Sequence, residues 1–293
     1  VLEKLLETNY NVIVVVTQPD RLVGRKKILT MPEVKEIALK HDIPVYQPQK
    51  IKNDYQDLLD LKPDLVITAA YGQMIPEAIL NLPKLGCINV HASLLPKYRG
   101  GAPVHYAIIN GEEVTGVTIM YMVKKMDAGN IISQEEVKIA PDETTGELYD
   151  RLSNVGAKYF SETLPSIINK TNASIEQDEN LVTYAPVIRH EQEKIDFNQS
   201  AKQVYNHVRG LNPWPGAYTV YQDKVVKIWA GSIHNCQNAT KHHGHQENGT
   251  IVKIFKDAIG VKTGDGIYLI TELQIAGKKR MLVKDYLLSL IHI

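Results

Sequence analysis

With 293 residues, 44% of them hydrophobic and 23% charged, the chain has material for a packed core and exceeds one domain of usual size, so two domains are expected. That composition excludes a disordered or fibrous chain, and no apolar run nears the roughly 20 residues of a membrane span. A net charge of zero excludes a strongly basic chain, yet residues 189–293 carry 14 Lys+Arg against 9 Asp+Glu while residues 1–188 carry 19 against 24: either a basic, partner-binding half or chance scatter.

Residues 1–8 have the helical period, with Leu2, Leu5 and Leu6 on one face, and read as amphipathic helix rather than as a leader. The expectation of a cytoplasmic protein rests on the two thiols, Cys87 and Cys236, which in a chain of this length fit a reducing compartment. Residues 11–16 are a β-branched run fit for a buried strand, followed by a loop and a helix at about 31–41. Residues 63–70 form a second buried strand, 75–80 a short helix and 87–90 a third strand. Apolar strands alternating with helices predict a Rossmann-like, mostly parallel α/β sheet. Ligands sit at the carboxyl ends of such strands, where Gln18-Pro19-Asp20, Tyr71-Gly72 and His91-Ala92-Ser93 fall. Residues 116–123 are a further strand, with Asp127-Ala128-Gly129 directly after it. Thr144-x-x-Glu147 is a capping box that opens a helix to about residue 169, with Leu148, Leu152 and Val155 as its inner stripe.

The core thins over the polar residues 171–180, and 181–198 read as a linker. A short helix at 203–208 and the turn Asn212-Pro213-Trp214-Pro215-Gly216 lead into five alternating segments at 217–221, 225–229, 249–254, 259–262 and 268–273. Five short strands in about 80 residues fit a small barrel of the oligonucleotide-binding (OB) kind. Cys87 and Cys236 match no metal or redox spacing, and His242-His243-Gly244-His245 has no acidic or thiol partner at ligand spacing, so no metal is expected.

Asn89 and His91 share a face of the strand at 87–90. An amide that donates to a developing oxyanion beside an imidazole that moves a proton near neutral pH suits carbonyl chemistry. The spacing alone equally describes two hydrogen-bonded structural residues. The longer string Asn89-x-His91-x-Ser93-Leu94-Leu95-Pro96, followed by Tyr98-Arg99-Gly100-Gly101-Ala102-Pro103, resembles the signature of the folate-dependent formyltransferases. Within that family it is most similar to the branch acting on methionyl-tRNA, and Asn212-Pro213-Trp214-Pro215 and residues 276–281 extend the likeness into the second half.

The resemblance implies a catalytic set of Asn89, His91 and Asp127, with the Asp127 carboxylate orienting the imidazole and favouring its protonated form. It implies transfer of the formyl group of 10-formyltetrahydrofolate to the free amine of initiator methionyl-tRNA. Ser93, Leu94, Leu95 and Pro96 would hold the folate, and the basic loop with Arg25, Lys26 and Lys27 would meet the tRNA. Ser93 lacks the Gly-x-Ser-x-Gly elbow of a serine nucleophile. The implied domains are a catalytic one at 1–188 and a linker plus OB-like tRNA-binding domain at 189–293, in a monomer. Two features depart from the family. Arg21-Leu22-Val23-Gly24-Arg25-Lys26 stands where the family often has Arg-Pro-x-Gly-Arg-Gly, and the first strand with its Gly-Thr-Pro-x-Phe turn is missing ahead of Val1. The alternatives are a formyltransferase for a sugar-nucleotide amine, which shares the folate site, and a tRNA-binding module without activity.

Overall fold

The computed structural model describes residues 1–24, 26–234 and 246–291. They divide into two units: Val1–Gly101 with Gly116–Val137 and Leu152–Tyr184, and Ala102–Thr115 with Lys138–Arg151 and Ala185–Ile293. Cys236 and the His242–His245 cluster lie outside the described residues. Among the described residues, no helix is long and apolar enough to cross a membrane.

The chain begins with α1 (Leu2–Leu6), β1 (Val15–Val16), a hairpin of β2 (Arg21–Val23) and β3 (Ile28–Thr30), α2 (Glu33–Lys40) and β4 (Val45–Tyr46). The apolar run at 11–16 is strand only at Val15 and Val16, the two residues that pair with Val45 and Tyr46 in parallel. Next come α3 (Gln56–Asp60), β5 (Val66–Thr68), α4 (Glu77–Leu80) and β6 (Cys87–His91). After α5 (Pro103–Ile109), which belongs to the second unit, follow β7 (Val114–Tyr121), β8 (Ile131–Lys138) and α6 (Thr145–Ile168).

Strands β5 to β8 form one sheet in sequence order. β5 and β6 are parallel, with Thr68 opposite Asn89. β7 then runs antiparallel to β6, with Met120 opposite Asn89 and Thr118 opposite His91. Because side chains alternate along a strand, Ile88 and Val90 take the face opposite Asn89 and His91. There Ile88, Ile119 and Ile132 bury against Phe160, Leu164 and Ile167 of α6. Burying each such side chain stabilises by about 1.5–3 kcal/mol. The helix lies close: a Cβ on Gly156 would sit 3.3 Å from Val90 Cγ1. β8 escapes a reading by pattern because its middle, Gln134 to Glu136, is exposed at the sheet edge.

In the second unit, α7 (Ala201–Gly210) starts at Ser200, whose hydroxyl accepts from Gln203 N while the Gln203 side chain returns to Ser200 N. It precedes β9 (Tyr218–Tyr221), β10 (Lys224–Ile233), β11 (Ile251–Ile254), β12 (Ile259–Lys262), β13 (Ile267–Ile275), β14 (Met281–Leu282) and α8 (Val283–Ile291). Among the described residues these six strands pair antiparallel in the order β11-β12-β13-β10-β9, with β14 on β13. Register shifts around Ala230 bend β10, as bulges do, so the OB-like expectation is met by an open, curled sheet. Its inner face, with Ile228, Val261, Tyr268 and Leu273, closes over Val204 and Val208 of α7 and Val283 of α8.

His207 of α7 has Nε2 3.3 Å from Glu193 O, and burial pushes its imidazole below the ordinary histidine value. Below about pH 6.5 the unfolded chain takes up a proton that the folded site resists, so stability falls as pH drops toward the folded value. Denaturant unfolding of His207→Gln should therefore lose less stability between pH 7 and pH 5.5 than the parent chain. Equal losses in both proteins would contradict this assignment.

Candidate active site

Cys87, Asn89 and His91 alternate onto one face of β6. At Cys87 that face is covered by α4, where the thiol lies 3.4 Å from Ile79 O. Burial pushes this thiol up to about 12, so it stays neutral and offers no nucleophile. Further along, Asn89 is half-buried. Thr68 Oγ1, its register partner on β5, donates to Asn89 Oδ1 at 2.8 Å, which leaves the Nδ2 hydrogens for another acceptor.

The imidazole of His91 is 6% exposed and its Nε2 lies 3.0 Å from Tyr98 O. A carbonyl only accepts, so Nε2 carries the hydrogen and Nδ1 is the nitrogen left to act. Nδ1 faces Asp127, with Oδ2 at 3.8 Å. That separation exceeds a hydrogen bond but lies within ion-pair range. The ring is thus oriented by a backbone carbonyl, and Asp127 acts on it by charge. This differs from the expectation that the carboxylate orients the ring.

The loop after β6 is built to hold that carbonyl in place. Ser93 Oγ donates to Lys97 O at 2.7 Å. Thr118 Oγ1 donates to Ser93 O at 2.6 Å and accepts from Leu95 N at 3.1 Å, while Gln134 Nε2 donates to Leu95 O at 2.8 Å. Tyr98 sits at φ 63°, a left-handed conformation costing a non-glycine residue about 1–2 kcal/mol. Its N–H donates to Thr183 Oγ1 at 2.9 Å, and the next N–H, of Arg99, donates to Thr183 O at 2.9 Å.

Asp127 arrives by a different route from the one the strand order predicts. Since β7 is antiparallel to β6, it ends beside Cys87, where Met122 N donates to Cys87 O, at the far end of β6 from His91. The loop between β7 and β8 then carries Asp127 back to the imidazole. Asp127 is also left-handed, at φ 47°, and its Oδ2 accepts from Gly100 N at 2.8 Å. Gly129 packs against the end of β7 so closely that a Cβ would lie 1.9 Å from Tyr121 O.

Two further side chains, given no role from the sequence, enclose this arrangement. Arg99 is fully buried, with its guanidinium on Gln177 Oε1 (2.8 and 3.1 Å) and Glu179 Oε1 (3.1 Å). Gln177 Nε2 donates to Asp127 O at 2.8 Å and to Gly129 O at 2.7 Å. A glutamine in a polar stretch carries no pattern that would single it out.

Of the remaining expected residues, Ser93 and Leu95 are buried, the first with its hydroxyl on Lys97 O and the second packed with Met120 and Ile131. Leu94 and Pro96 are half-buried and present apolar surface. The neighbouring strand-end loops are tied together by Gln18 Nε2 donating to Tyr71 O at 2.7 Å and Gln47 Nε2 donating to Gln18 O at 2.9 Å. Lys26 and Lys27 are exposed in the turn between β2 and β3, and Arg25 lies outside the described residues. The basic loop is a hairpin whose Leu22, Ile28 and Leu29 are each more than 60% exposed.

Chemically, Asn89 Nδ2 and His91 Nδ1 are two groups not used by the sheet or the loop, set two residues apart on one face beside a carboxylate. The Nδ2 hydrogens fit a carbonyl oxygen that gains charge, and the bare Nδ1 fits a proton to be taken up.

Residues 1–164 match the family described as Formyl transferase, and residues 187–290 match Formyl transferase, C-terminal domain. The chain is 53% identical over 287 residues to the methionyl-tRNA formyltransferase of Staphylococcus epidermidis, covering 97% of this chain and 90% of that protein. To the Staphylococcus aureus (strain MW2) protein of the same name it is 52% identical over 290 residues, covering 98% and 91%. A crystal structure of WlaRD, a sugar 3N-formyl transferase in the presence of dTDP and 5-N-formyl-THF, aligns with a TM-score of 0.68 at 21% identity. That alignment covers 95% of this chain and 93% of the other, and it is a likeness of fold.

Gly129→Ala drives a Cβ into the Tyr121 carbonyl, so the β7–β8 turn must move. Urea unfolding should show a loss of about 2 kcal/mol or more; an unchanged midpoint would mean that the turn yields freely.

Proposed function

The chain belongs to the formyl transferase family, and from that premise we propose that it moves the formyl group of 10-formyltetrahydrofolate onto the free amine of methionyl-tRNA, giving formylmethionyl-tRNA for translation initiation. The observation that carries the chemistry is the convergence of Asn89, His91 and Asp127 within one unit, with His91 Nδ1 3.8 Å from Asp127 Oδ2. The choice of acceptor is supported by relatives of that name at 52–54% identity across nearly the whole chain.

When bound, 10-formyltetrahydrofolate supplies the electrophilic formyl carbon. Asn89 Nδ2 donates to the oxygen as it gains charge. His91, with Nε2 fixed on Tyr98 O, takes the proton of the attacking amine at Nδ1. The resulting Nδ1–H becomes a second donor while the Asp127 carboxylate balances the imidazolium. That proton then passes to the folate nitrogen as its bond to the formyl carbon breaks, releasing tetrahydrofolate and returning His91 to neutral. The half-buried Leu94 and Pro96 offer the folate an apolar wall, and Ser93 and Leu95 hold that segment in shape. Lys26 and Lys27 in the turn between β2 and β3, with Arg25 preceding them in the sequence, are assigned to tRNA phosphates, and residues 189–293, with 14 Lys+Arg against 9 Asp+Glu, to the body of initiator methionyl-tRNA.

Purified protein given 10-formyltetrahydrofolate should formylate methionyl-tRNA and leave an amino-sugar nucleotide unmodified. The reverse result would favour a sugar-amine formyltransferase, and no product from either would leave a binding module. Asn89→Ala and His91→Ala should each lower kcat by roughly a hundredfold or more, the equivalent of about 3–4 kcal/mol, with the circular dichroism spectrum retained. Near-normal turnover in folded His91→Ala would end the assignment of its role.

A further inference from the structure

The polar stretch after α6 carries one residue whose every polar valence is spent on the two active-site loops. Gln177 is 6% exposed. Its Nε2 donates to the carbonyls of Asp127 and Gly129 at 2.8 and 2.7 Å, and its Oε1 accepts from Arg99 Nε and Nη2 at 3.1 and 2.8 Å. One carboxamide therefore ties residue 99 to residues 127 and 129.

The position of that tie matters because Arg99 lies between the two contacts that define the acid–base pair. The residue before it, Tyr98, supplies the carbonyl that holds His91 Nε2. The residue after it, Gly100, supplies the N–H that holds Asp127 Oδ2. The backbone of Arg99 is fixed by Thr183 O, and its guanidinium is closed off by Glu179, which Lys125 also holds at 2.7 Å. On the other side, Asp127 keeps a left-handed backbone, at φ 47°, which aspartate tolerates better than most residues, and its own carbonyl and that of Gly129 are held by Gln177. Asp127 and His91 meet by charge across 3.8 Å, with no direct hydrogen bond to restore the distance if a loop shifts.

We infer that Gln177 is a positioning residue for the reaction: its carboxamide sets the spacing of Asp127 and His91 by clamping the 127–129 turn to the 98–100 loop. This rests on the formyl-transfer reading given above. Gln177 touches neither reacting group and acts through the backbone on either side of them. The clamp predicts that the chemical step, rather than binding of either substrate, depends on the Nε2 hydrogens.

Gln177→Glu separates the two halves of the contact. It keeps an acceptor for Arg99 and replaces the donor facing two carbonyls with another acceptor. In formyl transfer from 10-formyltetrahydrofolate to methionyl-tRNA, kcat of Gln177→Glu should fall at least tenfold while KM for both substrates stays within threefold. In proton NMR, the Gly100 amide, bonded to a carboxylate, should move upfield as that bond lengthens. Leu164→Ala, a cavity under α6 away from both loops, serves as a stability control. It should lower Tm yet keep the parent kcat and the Gly100 shift. Gln177→Met, uncharged and of similar length, is read the same way if the glutamate variant does not fold. Parent kcat and an unmoved Gly100 amide in folded Gln177→Glu overturn the inference, as does failure of both Gln177 variants to fold while Leu164→Ala folds. Absence of transfer by the parent chain overturns the functional reading instead.

Discussion

The hydrogen bond from His91 Nε2 to the Tyr98 carbonyl is the contact on which the chemistry proposed for this site depends. A ring nitrogen facing a carbonyl must carry the hydrogen, so the other nitrogen is the one free to exchange a proton. Losing a buried partner of this kind costs about 1–3 kcal/mol, enough to hold one tautomer in place. The contact requires Tyr98 in a left-handed conformation, and that strain is met by Thr118, Gln134 and Thr183, which pin the loop before and after it. Each of these three residues lies outside the loop, on β7, on β8 or in the stretch after α6. The loop is therefore shaped by its surroundings more than by its own sequence.

A buried arginine beside the His91–Asp127 pair needs a physical account, because a cation removed from water is costly unless it is paired and hydrogen-bonded. Arg99 meets both conditions through Gln177 and Glu179. Its charge is directed toward Glu179, whose carboxyl is held below the usual range first by its hydrogen bond to Lys125 and then by that to Arg99. The cation thus stabilises the join between two loops, while the charge beside the imidazole is the carboxylate of Asp127.

Elements with a strong local signal were legible in the sequence, and those decided by tertiary contacts were not. β12 matches the segment 259–262, and α6 begins at the capping box Thr144–Glu147, whose side chains bond as that motif requires. β6 stood out because small residues and a proline bound an apolar run. β8 did not, since Gln134 to Glu136 face solvent at a sheet edge. α5 was hidden by being buried nearly all round: Pro103, Val104, His105, Ala107 and Ile108 leave no polar face to give a period. The Asn–His pair was visible as two residues on one strand face. The route of Asp127 was not, because strand direction is set by the connection through α5 and not by the strand's own pattern. Gln177 was invisible for a simpler reason: its four hydrogen bonds all go to residues at least 48 positions away.

The most direct measurement of the central claim is the nitrogen-15 spectrum of histidine-labelled protein, with the His91 signal assigned by its loss in His91→Ala. In the neutral ring the account predicts a protonated Nε2 and a bare Nδ1. A protonated Nδ1 with a bare Nε2 would turn a lone pair onto the Tyr98 carbonyl, leave no base facing Asp127 and contradict the account.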